Sequence, residues 1–98
     1  NPTQLDSSQI RTADCVRRAV ARAAAILRLR DSCLIEALTA RRLLAKRNVP
    51  STMYLGVKAE VLLREAPSHV WVLAVTAPVT GYRECHDYLP CAAFPTAV

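Results

Sequence analysis

The stretch "HVWVLAV", residues 69–75, carries the strongest strand signal in the chain. It is β-branched, aromatic and apolar at both parities, so it reads as a strand buried on both faces. Thr76 to Pro78 then read as a turn, and "VTGYREC" (79–85) as an antiparallel partner returning along it. "DYLPCAAF" (87–94) closes the chain with one more short strand. Upstream, "STMYLGV" (51–57) has the same β-branched and aromatic character, whereas "KAEVLLREAP" (58–67) is ambiguous between a loop and a short turn of helix.

The residues before Ser51 follow a different period. From Gln9 to Leu29, Ala13, Val16, Val20, Ala23 and Leu27 form an apolar stripe at helical spacing, with Arg11, Arg18 and Arg22 opposite. Asp6, Ser7 and Ser8 are candidate caps. Asp31 and Ser32 offer an N-cap to a second helix, Cys33 to Arg47, in which Cys33, Ala37, Ala40 and Leu44 share a stripe. Leu34, Ile35 and Leu38 make its first turns apolar nearly all round, which predicts a central helix. Arg41, Arg42, Lys46 and Arg47 suit the negative end of its dipole, and Asn48 and Pro50 stop it. Two helices followed by three or four strands predict an α+β fold, with N-terminal helices packed on a small antiparallel β-sheet.

Composition bounds the function. The 98 residues suffice for one domain, 1–98, with residues 1–8 as a polar lead-in. At 52% hydrophobic with only two glycines, the chain favours a compact core over disorder. No apolar run reaches the roughly 18 residues that a membrane span needs. "NPTQLDSSQIRTAD" contains no secretory h-region, and without an initiator Met the chain reads as a fragment or part of a longer protein. Four cysteines in an aliphatic-rich core suit a reducing, cytoplasmic setting better than a disulfide framework. "CHDYLPC" offers Cys85, His86 and Cys91 to zinc, but no C-x-x-C pair supports them. The charge of +5 is mostly arginine, without aromatic interleaving or a nucleic-acid motif, so the Arg11, Arg18 and Arg22 face reads as solvated.

Two residues invite chemistry. A thiol at a helix N-terminus, as Cys33 is placed, meets the positive end of the macrodipole and free backbone N–H groups. Both favour a thiolate, and the N–H groups can also hold an oxyanion. A nucleophilic cysteine needs an imidazole within reach, and His69 opens the buried strand with Trp71 on its own face. Taken singly, such a cysteine reads as packing and such a histidine as structural. They matter only if the fold unites them.

"SCLIEALTARRLLAKRNVPSTMYLGVKAE", followed by "SHVWVLAV", resembles the lasso-peptide leader peptidases, bacterial transglutaminase-like cysteine proteases. The shared features are the "SCL" helix opening, Leu-Leu with basic residues leading to "NVPS", the "LGV" strand end, and "HVWV". The last is usually histidine, alanine, tryptophan and an aliphatic residue, so Val70 is a mild departure. The likeness runs from about Ala24 to Phe94. It implies a transglutaminase- or papain-like core in which Cys33 is the nucleophile and His69 the base. The reaction implied is leader removal from a lasso-peptide precursor through an acyl-thioester on Cys33.

The family commonly places an aspartate about a dozen residues after the histidine. Residues 70–82 hold no acid, and Gly81 sits near that place. If the turn centres on Ala77, the residue across from His69 lies near Cys85, which makes Glu84 the nearest acid and Asp87 the next. The alternative is a Cys33–His69 diad oriented by a backbone carbonyl or an amide, and His86 is the only other imidazole. The resemblance further implies a precursor peptide, a leader-recognition element either supplied in trans or removed from this chain, and an ATP-using lasso cyclase as partners. No cofactor is expected on this chain, which has no P-loop, and neither nucleic acid nor membrane is an expected partner. Two other readings keep different parts of the pattern. One is a transglutaminase-like acyl transferase or amidase on the same pair; the other is a non-catalytic basic module whose arginine face docks an acidic partner.

Overall fold

The computed structural model describes residues 4–27, 32–58 and 68–96. Helices α1 (Ser7–Leu27) and α2 (Cys33–Lys46) precede strands β1 (Thr52–Val57), β2 (Ser68–Ala74) and β3 (Ala77–Thr80), a 3-10 helix (Tyr82–Asp87) and strand β4 (Leu89–Pro95). The strands form one antiparallel sheet in the order β3-β2-β1-β4, on which the helices pack. The fold is α+β, as the sequence predicts.

Asp6 is the cap that α1 uses. Its Oδ1 accepts from the Gln9 N–H at 2.7 Å, and the Gln9 side-chain oxygen accepts from the Asp6 N–H at 3.0 Å, a reciprocal capping box. Ala13, Val16 and Val20 are buried, but Ala23 and Leu27, expected on the same stripe, are exposed. Length explains the difference. The 21 residues of α1 span about 31 Å, whereas β3, the strand it packs on, has 4 residues and spans about 13 Å. The helix outruns the strands beneath it.

In α2, Ala37, Ala40 and Leu44 are wholly buried. The expectation of a central helix is corrected, because Leu34, Ile35 and Leu38 are each about half exposed. Among the described residues, α2 packs on α1 and the sheet, through the stripe of Ala37, Ala40 and Leu44. Ser32 occupies the N-cap position, yet its hydroxyl donates to Glu36 Oε2 at 2.6 Å and caps no backbone N–H. Asp31, the other expected cap, lies outside the described residues. Asn48, in the left-handed region at φ 58°, ends the helix as expected.

Alternation along β2 divides the sheet. Val70, Val72 and Ala74 join Met53, Val79 and the buried helix residues in one core. His69 and Trp71 lie on the other face, where Trp71 stacks on its cross-strand partner Tyr54. The turn after β2 is Val75–Thr76, one residue earlier than expected, and Pro78 lies within β3. β3 is an edge strand, where a missing N–H is tolerated. The expected strand 79–85 ends at Thr80. Gly81 then turns at φ 63°, and residues 82–87 coil as a 3-10 helix. Residues 59–67, most of the segment of ambiguous character, lie outside the described residues.

Candidate active site

Connectivity brings Cys33 and His69 to one end of the layered fold. β1 begins only five residues after α2 ends, at residues 47–51, so it starts beside the helix C-terminus and runs back along it. α2 is about 21 Å long and β1 about 20 Å, so the end of β1 reaches the level of Cys33. β2 pairs antiparallel with β1, with His69 opposite Gly56, the penultimate residue of β1. The first residue of α2 and the second of β2 therefore share one margin of the molecule.

Cys33 is half-buried, a free thiol that borders the core. The first intrahelical bond of α2 runs from the Glu36 N–H to the Ser32 carbonyl at 2.8 Å. Because Ser32 spends its hydroxyl on Glu36, the N–H groups ahead of Glu36 receive no cap from Ser32. They are donors of the kind that can hold a developing oxyanion.

His69 is held by its own surroundings. Its Nε2 lies 2.7 Å from the Gly81 carbonyl oxygen. A carbonyl only accepts, so Nε2 carries the proton and donates it. In the neutral ring this leaves Nδ1 as the free acceptor, the atom that can serve as a base. The imidazole also stacks with Trp71, at 6.0 Å between centroids, and with Tyr88, at 5.2 Å. Lys58 Nζ sits 5.6 Å from the Tyr88 ring, a cation–π contact that extends this assembly.

Two glycines make room for it. A Cβ at Gly81 would fall 2.7 Å from the Val70 carbonyl oxygen and 2.8 Å from His69 Nε2. A Cβ at Gly56 would fall 2.8 Å from the Trp71 ring. Both are places where the backbone itself forms the wall.

The Cys33 thiol and the His69 ring make no hydrogen bond among the described residues, and the ring lies on the sheet face opposite the one that α2 covers. Of the residues weighed as a third member, Glu84 and Asp87 lie on the 3-10 helix. The Glu84 side chain lies outside the described residues. Asp87 is exposed and makes no hydrogen bond to His69 among the described residues. The geometry that nominated these acids changes, because the turn centres on Val75–Thr76 and places Gly81, not Cys85, beside His69. His86 stands apart, edge-on to Tyr82 at 5.4 Å.

Tyr88 and the Gly56 notch are the parts of the site that sequence reasoning passed over, whereas a backbone carbonyl was among its alternatives for orienting His69, with Gly81 noted near the place but not named as its source. Cys15, Cys33 and Cys91 are free thiols, and no group of three or more His, Cys, Asp or Glu among the described residues could hold a metal ion. Likewise, among the described residues, no helix is long and apolar enough to cross a membrane.

No curated protein and no solved structure matches the chain. A family does: the transglutaminase-like superfamily matches residues 1–92. That span takes in both helices, the first three strands, the Gly81 turn and the start of β4. By this match and by its helices packed on an antiparallel sheet, the chain belongs to the transglutaminase-like superfamily.

Proposed function

We propose that the protein is a cysteine peptidase that removes the leader from a lasso-peptide precursor, with Cys33 as nucleophile and His69 as base. The observation that carries this reading is the 2.7 Å contact between His69 Nε2 and the Gly81 carbonyl, which leaves Nδ1 unprotonated in the neutral ring. In the proposed reaction Nδ1 takes the proton of the Cys33 thiol as Sγ attacks the scissile carbonyl carbon. The N–H groups at the start of α2 receive the oxyanion. Collapse breaks the C–N bond, and the imidazolium returns its proton to the departing amine. Water then cleaves the thioester, releasing the acid and restoring the thiol.

The mechanism requires Sγ to come within hydrogen-bond reach of Nδ1 in the substrate complex. In the described structure the ring stands on the opposite sheet face at the same margin, so this approach requires a rearrangement around the edge of the sheet. A cytoplasmic setting, a leader-recognition element in trans and a partner cyclase complete the reading, which rests for these on the sequence likeness. An amine in place of water as acceptor would make the same pair an acyl transferase.

The test is single-turnover cleavage of a lasso precursor with its recognition element present, for wild type, Cys33→Ala and His69→Ala. Loss of leader release in both variants, with far-UV circular dichroism unchanged, is the expected result. Cleavage that persists in Cys33→Ala refutes the reading. Leader transferred to an added amine in preference to water would favour the transferase.

A further inference from the structure

The outer side of α1 carries a groove that the proposed chemistry does not use. It consists of two adjoining hollows that share Cys15 and Ala19, one of about 660 Å³ between α1 and α2, the other of about 440 Å³ toward the end of α1. Arg11, Arg18, Arg22 and Arg47 stand along its length. Val16, Ala19, Leu43, Ala23 and Ile26 supply the apolar surface between them, and Ile26 is 71% exposed.

The charges in this groove are unequally answered. Asp14 is the only acid in α1, and its carboxylate is already bonded by Arg17 at 2.6 Å and by Arg18 at 3.0 Å. Among the described residues Arg11 and Arg22 have no ion pair, and the Arg47 guanidinium donates to the Leu43 carbonyl and to no carboxylate. Arg11, Arg18 and Arg22 stand seven and then four residues apart, which keeps them within about 20° of one line down the helix. The apolar residues form the neighbouring stripe. A ligand must therefore offer carboxylates along one edge and aliphatic groups along the next, over the roughly 16 Å from Arg11 to Arg22. An amphipathic helix has that form. Nucleic acid fits less well, because none of the described residues lining the groove is an aromatic on which a base could stack.

We propose that this groove docks an acidic amphipathic helix of a partner polypeptide, with carboxylates on Arg11 and Arg22 and aliphatic side chains over Ala19 and Ala23. This surface is independent of the chemistry at Cys33, so either assignment can fail without the other.

The test is fluorescence anisotropy with a fluorescein-labelled 18-residue helical peptide, Leu on one face and Glu along its edge. A peptide of equal charge with Ser replacing Leu is the comparison. The wild-type protein is expected to bind the Leu peptide at least tenfold more tightly than the Ser peptide. Arg11→Glu with Arg22→Glu, both exposed, should weaken binding tenfold or more with the fold retained by circular dichroism. Arg42→Glu with Arg83→Glu, the same charge change outside the groove, should weaken it less than threefold. Equal loss in both double variants, or equal binding of the two peptides, overturns the proposal in favour of diffuse charge. Displacement of the Leu peptide by a 12-nucleotide oligo-dT, or by phosphatidylserine vesicles at matched charge, overturns it in favour of those ligands.

Discussion

Gly81→Ala tests the anchor of His69 most directly. Two effects add at this position. An L-residue held at φ 63° costs about 1–2 kcal/mol relative to glycine. The new Cβ would also lie 2.7 Å from the Val70 carbonyl oxygen, a backbone atom in a strand that cannot swing aside, and 2.8 Å from His69 Nε2. Relieving that contact moves the Gly81 peptide and with it the hydrogen bond to His69, worth about 1 kcal/mol. Lower entropy in the unfolded chain returns about 0.5 kcal/mol. The net loss is about 1.5–2.5 kcal/mol, which for a domain of this size lowers Tm by roughly 6–20 °C. Gly81→Asn separates the two causes. Asparagine tolerates the left-handed region but carries the same Cβ. If the contact decides, Asn melts as low as Ala, and ¹⁵N spectra of His69 lose the Nε2–H tautomer in both. Recovery by Asn to within about 0.5 kcal/mol of wild type would show that backbone strain alone decides, and the carbonyl anchor would have to be abandoned.

Two further outcomes follow from local geometry and charge. Val75 is a β-branched residue at φ 57° in the β2–β3 turn, so Val75→Asn should stabilise by about 0.5–1 kcal/mol in chemical denaturation, and any loss would contradict the assigned turn. The Asp14 carboxyl is held below its ordinary value of 3.8 chiefly by the hydrogen bond from Arg17, aided by the charges of Arg17 and Arg18 and opposed by slight desolvation. A depressed folded-state pKa gives stability that is complete above the unfolded value and lost as pH falls through the folded one. Carboxyl ¹³C titration should therefore place the Asp14 midpoint below 3.8, and Arg17→Ala should raise it.

The layer order was legible because hydrophobic period and length agreed. Residues 69–75 have the wrong period for an amphipathic helix and the right one for a doubly covered strand, and β2 lies there. Buried positions in α1 and α2 fell on the stripes that spacing predicts, up to the point where α1 outruns the sheet. The turn after β2 was misplaced because Pro78 is a strong turn signal, while an edge strand gives proline a second home. The earlier turn, together with the end of β3 at Thr80, puts Gly81 and not Cys85 beside His69, so the expected hairpin misdirected the search for an acid. A backbone carbonyl leaves no side-chain signature in a sequence, so the partner His69 found could be read only as an absence of acids between residues 70 and 82.

That partner also shapes what the site can do. A carboxylate opposite an imidazole fixes the tautomer and stabilises the positive ring that forms when the nucleophile gives up its proton. The Gly81 carbonyl fixes the same tautomer, but it offers only a dipole to the charged ring. Restoring the acid at this position is the obvious improvement, and the structure argues against it. Aspartate tolerates φ 63° better than most residues. Its Cβ nevertheless meets the Val70 carbonyl at 2.7 Å, so the carboxylate can enter only by pushing Gly81 off β2 and dragging His69 with it. Gly81→Asp should therefore lower both Tm and single-turnover cleavage, by about as much as Gly81→Ala. A faster cleavage rate in Gly81→Asp would mean that the backbone yields and that the missing charge limits the reaction. The close packing around Gly81 would then not set the geometry of His69.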